Sequence, residues 1–262
     1  MKKVLIITIV AVLLVASIFI IVKNNTSSSG FGIFGKFLGK EIKSNDKVVA
    51  EAKGVEIYLS DVALPYFSSM IAYLQAEEAI RSILNDPNAT SEVKEGVKES
   101  LGEKPDPLKM LNRVIGSKLL CQEIKETGIN ILEERINQEL VQIKKGRTSD
   151  KPNKWTEYHN ELLKALGISE DEYLNKYYRK LQEEMDLIDE YEKTINVPQP
   201  TSDEINNLMK KYNVDEDTAK RMYEDNYKIS LVQNREDELA KSADIKLLDI
   251  EAVRALEDYF NN

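Results

Sequence analysis

The sequence has little of what most catalytic and redox sites are built from. It contains one cysteine, Cys121, and one histidine, His159, in 262 residues. A lone cysteine excludes an intramolecular disulfide and any multi-cysteine zinc site. A lone histidine excludes every site that needs two. With 7 Pro and 11 Gly, the chain is neither collagen-like nor a low-complexity tail. No H-E-x-x-H or G-x-S-x-G motif occurs. Positive charge is also in deficit: 36 Lys+Arg stand against 45 Asp+Glu, a formal net charge of −9. Lys2, Lys3 and Lys23 are the only charges in residues 1–23, so the remainder is more acidic still. An acidic body argues against nucleic-acid binding, which needs a basic footprint. What is present is 42% apolar and 31% charged sequence. That composition suits a folded, mostly helical body, and the length allows one long domain or two short ones.

Residues 4–22 read VLIITIVAVLLVASIFIIV, uncharged, with Thr8 and Ser17 as the only polar side chains. A helix of that length, at about 1.5 Å per residue, nearly spans a hydrocarbon core of about 30 Å. No A-x-A cleavage sequence follows, and no lipidation cysteine. We read residues 1–23 as an uncleaved transmembrane signal-anchor, with a removed signal peptide as the alternative. Lys2 and Lys3 favour a cytoplasmic N-terminus, whereas Lys23, Lys36, Lys40 and Lys43 oppose it. The very short N-terminal tail suits a signal-anchor, which places the body on the extracytoplasmic side of the cell membrane.

Residues 24–46 read as a juxtamembrane linker. Gly30, Gly32 and Gly35 spell G-x-G-x-x-G, and Gly30, Gly35 and Lys36 begin a phosphate-loop pattern. Neither motif has its context. No buried strand precedes the glycines, and Phe37 stands where a phosphate loop needs Ser or Thr. Nucleotide binding is therefore not expected. Two readings of the linker stay open. Phe31, Ile33, Phe34, Phe37 and Leu38 rest on the bilayer interface above anionic headgroups, or the segment is a flexible spacer.

The body is punctuated by helix signals. Residues 48–59 form the one convincing β segment before the C-terminal end, split by Lys53-Gly54 into a hairpin. A helical stretch then opens at Ser60-Asp61, with Pro65 marking a late start or a kink. Asp106-Pro107 caps a helix whose Leu108, Leu111, Ile115 and Leu119 share one face. Gly128 and Gly167 end helices, with Ile129 and Ile168 placed to fold back on Ile124 and Leu163. Ser169 with Glu172, and Thr201 with Glu204, are capping boxes. Asp215 caps a long helix to about Ala243, after which Ile245, Leu247 and Ile250 suit a short final strand.

Four of these stretches carry a resemblance. VVAEAKGVEIYLSDV (48–62), LKMLNRVIGSKLLCQEIKETGI (108–129), LGISEDEYLNKYYRKLQEEMDLIDEY (166–191) and VPQPTSDEINNLMKKY (197–212) resemble, in order, the N-terminal chaperone domain of the SurA/PrsA foldases, related to the substrate-holding part of trigger factor. ELAKSADIKLLD (238–249) is similar to the segment that returns to pair with the first hairpin. Lys53 departs from the family's turn Asn. The parvulin prolyl-isomerase domain that many members insert after the fourth stretch has no room here. The resemblance implies a mainly α chaperone domain over residues 47–249, its small β hairpin closed by a C-terminal strand. Residues 250–262 would then be a tail or short helix.

Chemistry is sparse in this reading. His159, near Trp155 and Tyr158, reads as a packing histidine, and Cys121 as a buried small apolar residue. Asp215-Glu216-Asp217 lacks calcium-loop spacing. No catalytic residue, metal or cofactor is assigned. Tyr66, Phe67, Met70 and Tyr73 on one helix, and Tyr173, Tyr177, Tyr178 and Met185 on another, are the candidate substrate-binding residues. Met and Tyr adapt to clients of differing shape, although simple core packing accounts for the same pattern. The expectation is a membrane-anchored, ATP-independent, non-enzymatic chaperone-like protein for unfolded or newly exported polypeptides, with no nucleic acid or nucleotide as partner. The alternative is a structural adaptor for one fixed partner in an envelope or secretion assembly.

Overall fold

The computed structural model describes residues 29–43, 45–147 and 154–261. The expected membrane span over 4–22 lies outside the described residues, and among those described no helix is long and apolar enough to cross a membrane. The architecture is mainly helical, with one small antiparallel sheet.

Strands β1 (Val48–Ala52) and β2 (Val55–Tyr58) form the expected hairpin. Its turn places both Lys53 (φ 48°) and Gly54 (φ 80°) in the left-handed region. That is the geometry a two-residue hairpin needs to match strand twist. Gly54 adopts it freely, while Lys53 bears a cost of about 1–2 kcal/mol. Strand β3 (Ile245–Leu247) pairs antiparallel with β1, Ala50 opposite Leu247 and Ala52 opposite Ile245. The order is β2-β1-β3, so the C-terminal end closes the sheet that the N-terminal end begins.

Helix α1 (Ser29–Phe37) precedes the sheet and runs into a π turn, Leu38–Ile42. This corrects both readings of the linker. Phe34, Phe37, Leu38 and Ile42 are 4% exposed or less, inside the protein core rather than on a bilayer or in a loose spacer. The glycines explain the placement. A Cβ on Gly35 would lie 2.7 Å from both the Ala165 Cβ and the Leu162 carbonyl, so only a glycine lets α1 lie this close to α6 (Lys154–Leu166).

Helix α2 (Leu59–Asn85) starts directly from β2, with the Asp61 carboxylate accepting from the Tyr58 N–H at 2.9 Å. Pro65 neither delays nor ends it: the helix runs continuously through that position. Pro65 is the seventh residue of this helix, past the first turn, so the Asp61 carbonyl goes without the N–H, four residues on, that it would otherwise accept from. A short helix α3 (Ser91–Ser100) follows, capped by Thr90. Helix α4 (Pro107–Glu126) is the axis of the body, capped by Asp106 with Pro107 in its first turn. Leu111, Ile115 and Leu119 are buried as expected, but so are Leu120, Cys121 and Ile124, because neighbours cover α4 on several sides.

Beyond α4 come α5 (Glu133–Arg147), α6, α7 (Glu170–Tyr173) with its π turn Leu174–Tyr178, and α8 (Arg179–Thr194). Helix α9 (Ser202–Tyr212) opens on the Thr201–Glu204 capping box, and α10 (Glu216–Ser242) on Asp215. The chain ends in α11 (Ile250–Arg254) and α12 (Asp258–Asn261). Helix α10 crosses α4 at backbone contact: a Cβ on Gly116 would meet the Glu236 carbonyl oxygen at 2.4 Å. At the other end of the core, rings from three distant segments interlock. Phe67 of α2 lies 5.0 Å from Phe34, Phe37 and Phe260, ring centre to ring centre. Val253 and Leu256 are fully buried, so the stretch from Ile250 to Phe260 contributes to the core instead of trailing from it.

Candidate functional site

One hollow joins the sheet-proximal start of α2 to α4 and α8. Helix α2 contributes Ser60, Asp61, Leu64, Pro65 and Ser69. Helix α4 contributes Met110, Arg113, Val114 and Ser117, and the π turn with α8 contributes Lys176, Tyr177, Lys180, Leu181 and Glu184. Met110, Arg113, Val114 and Ser117 on α4, and Tyr177, Lys180, Leu181 and Glu184 on the α8 side, follow the spacing i, i+3, i+4, i+7, with Lys176 beside the second set. The π turn sets where the second face begins, since its wider winding rotates the positions that follow. The cavity holds about 250 Å³, just below the roughly 300–1,000 Å³ of drug-sized ligand pockets. That is a seat for a side chain or a short segment.

Below this hollow lies a charged floor. Lys118 is buried, its Nζ 3.1 Å from Asp61 and 2.9 Å from Glu184. Lys180 reaches the other Asp61 oxygen at 2.8 Å. Burial disfavours the Lys118 ammonium, but Asp61 and Glu184 outweigh it and hold its pKa above the ordinary lysine value. Every charge here has a partner, the condition under which a buried ionic network is tolerated; removing one member of such a network costs about 3–5 kcal/mol. Asp46 sits behind, accepting from the Ser60 hydroxyl at 2.5 Å and from the Ser60 N–H at 3.0 Å. Burial, countered only in part by those two bonds, raises its carboxyl above the usual range.

The structure brings few of the expected aromatic residues to this place. Tyr66 and Phe67 are fully buried and Met70 is 1% exposed, so the α2 set packs the core and offers no surface. Tyr73, farther along α2, is half-buried. Tyr173 packs edge-on against His159, ring centres 5.3 Å apart, and Tyr178 is half-buried against the core. Tyr177 does line the hollow, and its hydroxyl is shielded from solvent with no hydrogen-bond partner among the described residues. Met185 is 48% exposed, one turn beyond Leu181, which is 37% exposed. The α8 side therefore keeps the expected methionine at the surface. The residues that form the rest of the walls were missed in the sequence because their faces mix aliphatic and charged side chains. Such a face reads as an ordinary boundary between core and solvent.

Neither Cys121 nor His159 lines the hollow. Burial pushes the Cys121 thiol up to about 12, which makes it a poor nucleophile at neutral pH. His159 Nε2 bonds the Glu170 carboxylate, tying α6 to α7. Among the described residues no group of three His, Cys, Asp or Glu is arranged to hold a metal ion. A second hollow, about 560 Å³, lies between residues 197–202, α9 and α10, and Val197, Pro198, Met209 and Tyr223 line part of it. Among the described residues that line it, none is a buried polar side chain.

No family model, no curated protein and no solved structure matches this chain.

Proposed function

We propose that the chain is a membrane-anchored, extracytoplasmic chaperone-like protein that holds unfolded or newly exported polypeptide, without ATP and without covalent chemistry. The observation that carries this reading is the α2–α4–α8 hollow. It sets aliphatic walls and a nearby exposed methionine over a satisfied ionic floor. Such a surface binds apolar side chains of varied shape and performs no bond-making step. Two further features support a SurA/PrsA-type module. Strand β3 closes the hairpin, as the resemblance implies, and α9 passes to α10 through Asn213, Val214 and Asp215 alone, where family members insert a parvulin domain.

The deciding measurement is suppression of aggregation of a reduced, unfolded client by the chain in the absence of nucleotide. We expect suppression at a near-stoichiometric ratio. Aggregation that proceeds unchanged at several-fold excess would remove the chaperone reading and leave the fixed-partner adaptor.

A further inference from the structure

The net charge of the chain points to basic or neutral clients, yet the lining of the hollow carries three cations, Arg113, Lys176 and Lys180, against two acids, Asp61 and Glu184. From its geometry we infer that this site selects apolar polypeptide segments flanked by acidic residues. The inference rests on the reading of the hollow as a polypeptide-binding site.

The argument turns on which charges are already committed. The acids of the lining, Asp61 and Glu184, turn inward onto Lys118, and Asp61 also holds Lys180. Asp61's side chain is 7% exposed, so little of its charge faces a ligand. The cations at the mouth are differently placed. Arg113 on the α4 side is exposed and makes no ion pair or hydrogen bond among the described residues. Glu236 of α10 feels its charge without pairing to it and is itself 8% exposed. Lys176 on the opposite element is exposed, contacts only the Lys43 carbonyl at 3.5 Å and the Tyr177 ring, and pairs with no acid among the described residues. Lys180 keeps half of its side chain in solvent while bound to Asp61.

Two cations that form no ion pair among the described residues, Arg113 on α4 and Lys176 in the π turn, thus stand on different elements around one hollow. Screening confines the remaining acidic surface to about a Debye length, roughly 8–10 Å at physiological salt, so the local cations decide what enters. An incoming carboxylate can pair with the Arg113 guanidinium through two parallel hydrogen bonds, and a second with Lys176. A basic flank meets like charge on both sides.

The test uses the full chain in nanodiscs of zwitterionic lipid, read by fluorescence anisotropy. Three labelled unfolded peptides share one Leu/Met centre and carry Glu, Ser or Lys flanks. The Glu peptide should bind at least ten-fold tighter than the Lys peptide at low salt, and the gap should narrow at high salt. The doubly reversed variant Arg113→Glu/Lys176→Glu should invert the order. Because Arg113 offsets the burial of Glu236, it should melt somewhat below the parent but still cooperatively. The neutral variant Arg113→Gln/Lys176→Gln should bind the Glu and Lys peptides alike. Equal binding of Glu and Lys peptides overturns the charge assignment and leaves a general polypeptide site standing. An order unchanged in the reversed variant overturns it too, by placing the selectivity elsewhere. Binding of none of the three removes the polypeptide site itself.

Discussion

The two sides of helix α2 are built from different chemistry for different ends. Its inward side carries Val62, Tyr66, Phe67 and Met70, all fully or almost fully buried, and locks together α1, α2 and α12. Its outward side carries Asp61, Leu64, Pro65 and Ser69, and forms one wall of the hollow. The aromatic residues are on the closed side. Large rings bury the most area and stack on one another, so in a small helical body they go where three segments must be held at once. The open side keeps smaller aliphatic groups and paired charges, which tolerate water when no ligand is present. The α2 rings mark the joint, whereas the hollow is lined mainly by aliphatic and charged residues, with Tyr177 as its one aromatic among the described residues.

Removing the C-terminal segment is the most severe way to break this arrangement. Deleting residues 244–262 takes away β3, the fully buried Val253 and Leu256, and the Phe260 ring on Phe67. Each large buried apolar side chain is worth about 1.5–3 kcal/mol against a total stability of about 5–15 kcal/mol. Calorimetry should show loss of a cooperative transition. A melting curve indistinguishable from the parent would mean that the C-terminal end is no part of the joint.

A matched pair of substitutions separates the two sides. Phe67→Ala empties the centre of the joint and should destabilise by about 3–5 kcal/mol in urea unfolding, with little room for collapse around it. Leu181→Ser, at a half-open position of the hollow, should cost less than about 1 kcal/mol yet abolish most client protection. If Leu181→Ser leaves protection intact, the hollow is not where clients are held.

The smallest effect concerns polar groups. Beneath the hollow Lys118 is paired with both Asp61 and Glu184, whereas Asp186, 1% exposed on α8, is only half satisfied. One of its oxygens accepts from Gln182 at 2.9 Å and lies 3.5 Å from Arg135 of α5, and the other has no partner among the described residues. Burial, aided by the facing Glu139 carboxylate and opposed by Gln182 and Arg135, raises its pKa above the ordinary 3.8. A raised carboxyl pKa favours folding while the group is protonated. That contribution is full below 3.8 and lost as pH rises through the folded value. Asp186→Asn should therefore match the parent at acid pH and become relatively more stable toward neutrality. A difference in urea midpoint that does not change with pH would contradict this account.

Much of the fold was legible in the sequence because its signals are local. The Asp106-Pro107 start, the Gly128 and Gly167 stops and the Thr201–Glu204 box each act within one helical turn, and each stands where its residues indicate. The Lys53-Gly54 hairpin is local in the same sense. The pairing of β3 with β1 is not local, and it was legible only through the likeness of ordered segments. Residues 29–43 were misread for a physical reason. Glycines at 30, 32, 35 and 39 weaken a helix by their own propensity and suggest a linker, yet Gly35 allows two helix backbones to meet, and the burial of Phe34 and Phe37 outweighs the propensity.

The sequence alone determined the helical class, the caps, the hairpin and the acidic balance, because periodicity, turn chemistry and charge count need no knowledge of neighbours. The tertiary structure alone decided which aromatic residues are core, which cations remain unpaired, and that Gly35 and Gly116 are contact points between helices. Those properties depend on the distance to atoms far away along the chain, such as Leu162 and Glu236, and no local pattern encodes that distance.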